Sequence, residues 1–443
     1  MTHLSRRDAL RFLTTSLAAT SLSGWFPRLA SAAADIEKPK ACILLWMPGG
    51  PSQIDTFDPK PDHENGGEFS PIATSVPGIQ ISEHLPKVAQ LAEHLAIIRS
   101  MKTKEGDHGR ATHHLRTGYR PTGPIQYPTL GSLVGHERPG NPSGLPNYVS
   151  ILSNPVVSPT AFGPGFLGPQ HAPLLVGNNG NNAPIDSEYG APLEVQNIER
   201  AEGVTVARSE ARMNLLNFVE AGFAKDRPGL PTRSHQSAYE QAVKMMDSPA
   251  MKAFDLDEEP AEIRTAYGKN RFGQGCLLAR RLVERGIPFV EVALGGPDGN
   301  GGIGWDTHGD NFNLVKDLCG TLDPAWAMLM SDLKDRGLLE TTTILWMGEF
   351  GRTPNINTNT GRDHFPNAWS TVLAGGGIQG GQAYGATDPS GMEVTDKPVA
   401  VNALLATLLA ALGIDHQNQN MSAIGRPIRL VEPDVEPIAE LLV

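Results

Sequence analysis

Residues 41–58 read ACILLWMPGGPSQIDTFD: an unbroken apolar run, a Pro-Gly turn, then two aspartates. An apolar run without polar alternation, bounded by Gly and Pro, is the pattern of a strand buried on both faces, as in the interior of a parallel sheet. The same pattern recurs at 95–101, 148–152, 288–294, 341–347 and 370–375. Helical periodicity fills the intervals at 85–94, 204–223, 235–246, 260–285, 312–336 and 400–412. Alternating strand and helix predicts a doubly wound α/β fold: a mostly parallel sheet with helices on both faces. The Pro-, Gly- and Asn-rich segment 154–203 has no clear period and is expected to form a loop-rich insertion over one sheet edge. No internal repeat and no Gly/Ser linker divides the chain, so a single domain over 35–443 is expected.

The first 34 residues stand apart. MTHLSRRDALRFLTTSLAATSLSGWFPRLASAAA has a twin arginine, a modest apolar run and a small-residue exit, the pattern of a Tat-type export signal. Cleavage after Ala32 and after Ala34 fit equally. This implies passage through the Tat translocase and a periplasmic or extracellular location. The apolar run from Leu13 to Phe26 is shorter than the roughly 20 residues that span a bilayer, so stable membrane insertion is not expected.

The whole chain of 443 residues carries a formal net charge of -11, and losing residues 1–34 makes it more negative. Nucleic acid and anionic membrane surfaces are therefore poor partners, although a metal cluster can still attract a small anion locally. Three scattered cysteines, Cys42, Cys276 and Cys319, are too few for a disulfide framework.

Polar clusters fall at the strand ends, where open parallel sheets collect their sites. PGGPSQIDTFD brings Asp55 and Asp58; KTKEGDHGRATHH brings Asp107, His108, His113 and His114; GEFGRTP brings Glu349 and Arg352. GRDHFPN, with Arg362, Asp363 and His364, just precedes the last strand. GGIGWDTHGD, residues 301–310, alternates Asp306, His308 and Asp310 on a stretch too glycine-rich for a helix. In extended backbone, residues two apart point the same way, so Asp306 and His308 can reach one ion while Thr307 points away. Singly, such residues are turn or helix-cap residues. Together, carboxylates and imidazoles from several strand ends suit a divalent cation, with Zn, Mn, Mg and Ca all compatible. Arg110, Arg116, Arg352 and Arg362 lie in the same clusters, fit either to bind an oxyanion or to pair with neighbouring acids. Walker-type and Rossmann glycine loops, HExxH and the G-x-S-x-G elbow are absent, which disfavours nucleotide-driven and serine-esterase chemistry.

GGPSQIDTFDPK, RSMKTKEGDHGRATHHLRTGY, WDTHGDN, GEFGRTP and GRDHFPNAWSTVLAGGG resemble the DUF1501 family, exported proteins grouped with the alkaline phosphatase and sulfatase superfamily. The resemblance covers roughly 41–430. It implies an alkaline phosphatase-like α/β fold with one or two divalent metals that hydrolyses phosphate or sulfate esters, small or on a polysaccharide. By that resemblance the metal ligands are Asp55, Asp306, His308, Glu349 and His364. Phe350 stands where the superfamily has an imidazole. Asp107 and His108 stand where it has a Ser, Thr or modified Cys nucleophile, and Arg110 follows them; Thr103 and Thr112 are nearby hydroxyls. Asp107, His108 and Arg110 are thus the catalytic candidates, and Arg352 and Arg362 the oxyanion-binding ones. A binding or scaffold protein of the cell envelope without turnover is the alternative. Isomerisation or phosphoryl transfer between sugars is a third.

Overall fold

The apolar run that opens the sequence forms strand β1 (Ala41–Trp46), buried at every residue. In this computed structural model, residues 40–443 are described except 122, 139–143, 178–187, 197, 199, 201, 227–238, 241, 247 and 298–301. The export signal, Gly301 and part of the predicted helix at 235–246 lie outside the described residues.

Each of the other apolar runs also becomes a strand. In chain order these are β2 (Leu95–Met101), β3 (Tyr148–Ile151), β5 (Phe289–Ala293), β6 (Thr342–Met347) and β9 (Trp369–Gly375). Two short strands, β4 (Leu174–Val176) and β10 (Gln382–Tyr384), complete an eight-stranded sheet of order β10-β2-β9-β6-β1-β5-β3-β4. β1 pairs in parallel with β5 and β6. β9 alone runs antiparallel to its neighbours, β2 and β6. A separate ribbon joins β7 (Gly351–Arg352) to β8 (His364–Phe365), with His364 opposite Arg352. Part of the predicted loop-rich segment therefore contributes β4, an edge strand pairing with β3.

Alternate residues of β1 feed two cores. Ile43 and Leu45 pack in one, with α4 (Arg271–Glu284) and α5 (Asn311–Asp335); Leu44 and Trp46 pack in the other, with α6 (Val401–Ala411). Period-two side-chain direction in a strand covered on both faces produces this division. α1 (His108–Thr117) and α2 (Leu130–Glu137) also contribute to the second core, through Leu115, Leu130, Leu133 and Val134. The predicted helix at 260–285 is interrupted at Gly268, whose φ of 111° is open to glycine and closed to most residues. α3 (Val206–Asp226) occupies the helical pattern predicted at 204–223. Among the described residues no helix is long and apolar enough to cross a membrane.

One buried ion pair fixes α1 against the sheet. Arg116, in the last turn of α1, donates to Glu291 on β5 at 2.8 and 2.5 Å, and Tyr148 donates to the same carboxylate at 2.6 Å. Its guanidinium also lies 3.8 Å from the centre of the Phe162 ring. Arg116 therefore has a structural role, and it holds the helix whose first residue is His108. Removing one partner leaves a buried charge unpaired, so Glu291→Ala should lower the unfolding free energy by about 3–5 kcal/mol. Urea denaturation of the purified variant measures this loss.

Candidate metal centre

The parallel strands end on one side of the sheet, and the loops that follow them meet there. Because β9 is antiparallel, the segment preceding it reaches the same side, which is how GRDHFPN joins clusters that follow other strands. The loop after β5 is pinned first: Trp305 is fully buried and donates its indole N–H to Leu294 O at 3.1 Å. The β1 loop then closes on it. A Cβ on Gly49 (φ 113°) would sit 2.3 Å from the Asp306 backbone nitrogen, an approach that only glycine permits.

On this platform the WDTHGD loop follows tight turns rather than extended backbone, with Thr307 N–H donating to Trp305 O and His308 N–H to Asp306 O. Asp306 and His308 converge, with Asp306 Oδ1 3.1 Å from His308 Nε2, while Thr307 turns inward and donates to Asn311 Oδ1 at 2.6 Å. Two further imidazoles reach the same oxygen: His364 Nε2 at 3.2 Å and His108 Nε2 at 3.3 Å. His364 arrives on the β7–β8 ribbon, and His108 is the first residue of α1.

Each imidazole is held at its other nitrogen. His108 Nδ1 lies 2.7 Å from Glu349 Oε1, His308 Nδ1 2.7 Å from Asp363 Oδ1, and His364 Nδ1 2.8 Å from Gly106 O. Carboxylates and carbonyls in those positions set the tautomer and aim of a metal-ligating histidine. Phe350 packs against both His108 and His364, with ring centres 5.1 and 4.6 Å away, and forms a wall against the two imidazoles.

The donor set fits a divalent cation. His108, Asp306 and His364 each present one ligand atom within 4.8 Å of the others. Among the described residues the buried Glu349 Oε2 has no hydrogen-bond partner, and the buried His108 Nε2 makes no well-aligned hydrogen bond beyond its 3.3 Å approach to Asp306; buried polar atoms left this way carry a desolvation cost that a cation or its water shell would relieve.

Other predicted site residues are placed elsewhere. Asp55 is fully buried, and Arg362 takes both its oxygens, through Nε at 2.7 Å and Nη2 at 3.0 Å. Arg362 also donates to the carbonyls of Asn65, Thr353 and Pro354, which leaves no donor open to an oxyanion. Arg352 is likewise enclosed, binding Asp306 Oδ1 at 2.5 Å and the carbonyls of Gly49, Gly50 and Arg362. Burial thus makes Asp55, Arg352 and Arg362 each pair with an opposite charge or carbonyl, rather than present the ligand and oxyanion groups expected of them. Asp107 caps α1 by accepting from Arg110 N at 3.0 Å, and Arg110 pairs with Glu105 at 2.7 Å. Neither joins the cluster. Glu349 reaches it through His108. Asp310, the third residue of the alternation, adopts φ 50° at the start of α5 and bonds Asn313. The Gly106 carbonyl had no sequence signal, since any residue supplies one.

A match to a family model over residues 39–442 accompanies this geometry, "Protein of unknown function (DUF1501)". The chain belongs to the DUF1501 family. No curated protein matches the sequence of this DUF1501 chain. Among solved structures it is similar to the PsFucS1 sulfatase from Pseudoalteromonas sp., at 12% identity and a TM-score of 0.39, over 88% of this chain and 70% of the other. It is also similar to a protein in the alkaline phosphatase superfamily from Vibrio parahaemolyticus, at 12% identity and TM-score 0.37, over 85% and 67% of the two chains. A TAB5 alkaline phosphatase mutant with Mg bound matches at 10% identity and TM-score 0.33, over 76% and 91%. At these scores the residues of the DUF1501 chain carry the functional argument.

Charges around the cluster shift its titration. Burial pulls the His108 imidazole down, but the Asp306 and Glu349 carboxylates outweigh it and push its pKa up to about 9. Burial raises Asp306, yet His108, His364 and Arg352 together hold it well below the usual carboxylate range. A histidine raised in the folded state stabilises most fully below its unfolded pKa and loses that contribution as pH climbs through the folded one. Metal-free protein should therefore lose on the order of 2–3 kcal/mol of stability between pH 6.5 and 9. His108→Gln should flatten that slope, as read by denaturant midpoints across the range.

Gly361 offers a second test. A Cβ there would meet His308 O at 2.0 Å, a backbone atom that cannot rotate away. Gly361→Ala should displace the His308 loop and weaken divalent-ion binding at least tenfold with the far-UV spectrum unchanged, measured by calorimetric titration.

Proposed function

We propose that this DUF1501 protein is an exported, metal-dependent hydrolase of phosphate or sulfate esters. The observation that carries the reading is the convergence of three imidazole Nε2 atoms on Asp306 Oδ1, each imidazole fixed from behind. His108, Asp306 and His364 would hold the ion, with His308 flanking them beside Asp306, and Glu349 and Asp363 would orient two of the imidazoles. A divalent ion in that set supplies positive charge that draws electron density from a phosphoryl or sulfuryl oxygen.

The chain's own groups do the rest. His108 opens α1, so the positive end of a ten-residue helix lies at the cluster and favours an anionic group there. Arg352 holds Asp306 ionised and in place. His308 is 47% exposed and marks the side from which an ester can enter. Trp305, Phe350 and the buried β1 loop close the opposite side to water. The resemblance to the alkaline phosphatase and sulfatase superfamily supports phosphate or sulfate esters, and the signal-like first 34 residues support a substrate outside the cytoplasm, small or on a polysaccharide.

One observation favours the scaffold alternative: Arg352, Arg362 and Asp55 are all committed to structure, and Arg110 is half-exposed and paired with Glu105. Turnover decides between the two. Protein purified without chelator should contain a divalent ion and hydrolyse an aryl phosphate or aryl sulfate. Asp306→Ala should lose the ion and at least a hundredfold of the rate while its unfolding midpoint is retained within a few degrees. A metal-free native protein inert toward both esters would favour the scaffold.

A further inference from the structure

We infer that the centre takes a single ion, of the imidazole-preferring transition class, and that Arg362 supplies as a fixed buried charge what a second cation would otherwise supply to Asp55. This rests on the metal-binding reading above and specifies its stoichiometry and ion class.

A second ion would need its own set of free donors, and the surrounding carboxylates do not provide one. Asp55 is the nearest fully buried acid on the β1 loop, but both of its oxygens are held by Arg362, and Asn311 Nδ2 adds a further bond at 2.8 Å. Glu349 Oε1 already accepts from Gly49 N at 2.9 Å and faces His108 Nδ1. Its Oε2 is open, and a lone oxygen does not make a site. Asp363 is committed to His308 and Asn357 at the surface.

Displacing Arg362 from Asp55 is the other route to a second site, and burial opposes it. Both side chains are wholly inaccessible, and the guanidinium is tied to three backbone carbonyls as well. An ion that took Asp55 would strand an uncompensated guanidinium in a low-dielectric interior, which is strongly unfavourable. The arginine thus neutralises Asp55 permanently, and the positive charge at that end of the site is covalently attached to the chain.

Ion class follows from the donors that remain. The imidazole nitrogens of His108 and His364 and one oxygen of Asp306 lie within 4.8 Å of one another, and such a nitrogen-rich set suits zinc and its first-row neighbours, whereas calcium and magnesium demand mostly oxygen ligands. His108 is central to this preference. It brings a nitrogen to the start of α1, and Glu349 behind it acts as a positioning residue.

The test titrates chelator-stripped full-length protein with Zn²⁺, Mn²⁺, Ca²⁺ or Mg²⁺ separately, then measures retained metal by elemental analysis after desalting. Native protein should retain one equivalent of Zn²⁺, bind Mn²⁺ more weakly, and retain no Ca²⁺ or Mg²⁺. The double variant Asp55→Asn, Arg362→Met, which removes both charges together, should also retain one equivalent with affinity within about threefold of native. His108→Ala should bind at least a hundredfold more weakly. Two equivalents in the native protein, stoichiometric Ca²⁺ retention, or undiminished affinity in His108→Ala would overturn the single-ion inference while leaving the metal reading intact. If the double variant fails to fold, the native stoichiometry and the His108→Ala affinity decide alone. Retention of no ion by native protein would remove the metal reading and this inference together.

Discussion

The guanidinium of Arg352 joins several separate segments at the carboxyl ends of the strands. It binds Asp306 and the carbonyls of Gly49, Gly50 and Arg362, so one planar donor ties the loop after β1, the loop after β5 and the segment before β9 to the short β7–β8 ribbon on which it sits. The three imidazoles meet because these loops are held in register. A lysine could not substitute, since an ammonium lacks the fork that reaches four acceptors at once. The cluster is therefore the visible end of a buried cationic scaffold, in which Arg362 and Asp55 form the neighbouring bridge.

Much of this was legible in the sequence because burial writes a plain pattern. Strands covered on both faces read as apolar runs, and each of the six predicted strands is present within a residue or two. β4 and β10 were not foreseen: at three residues each, on the sheet's edges, they carry too little periodicity to separate from loop. Helix ends were blurred wherever a glycine or proline works locally, as at Gly268. Conversely, Pro324 sits inside α5 without ending it, because tertiary packing of a long helix outweighs one lost hydrogen bond.

The site was legible in its membership and less so in its roles. Asp306, His308, His364 and His108 could be named from strand-end position, whereas the tight turns that bring the first two together left no mark on the spacing. Whether an arginine meets an acid or a ligand depends on burial, which no local pattern encodes. Arg352 and Arg362 are wholly inaccessible, and an enclosed guanidinium without acceptors would be too costly to keep. That constraint also decides Asp55. The direction of Asp310 turned on a single left-handed φ angle, equally invisible in a stretch already crowded with glycine.

The distribution of these groups along the chain governs when the centre can exist. His108 and Glu349 are 241 residues apart, and Asp55 and Arg362 are 307 apart. Contacts so remote form late in folding, because loop-closure entropy is lost before they return any energy. The centre is thus a product of finished folding, and an ion held there adds its binding energy to the native state alone.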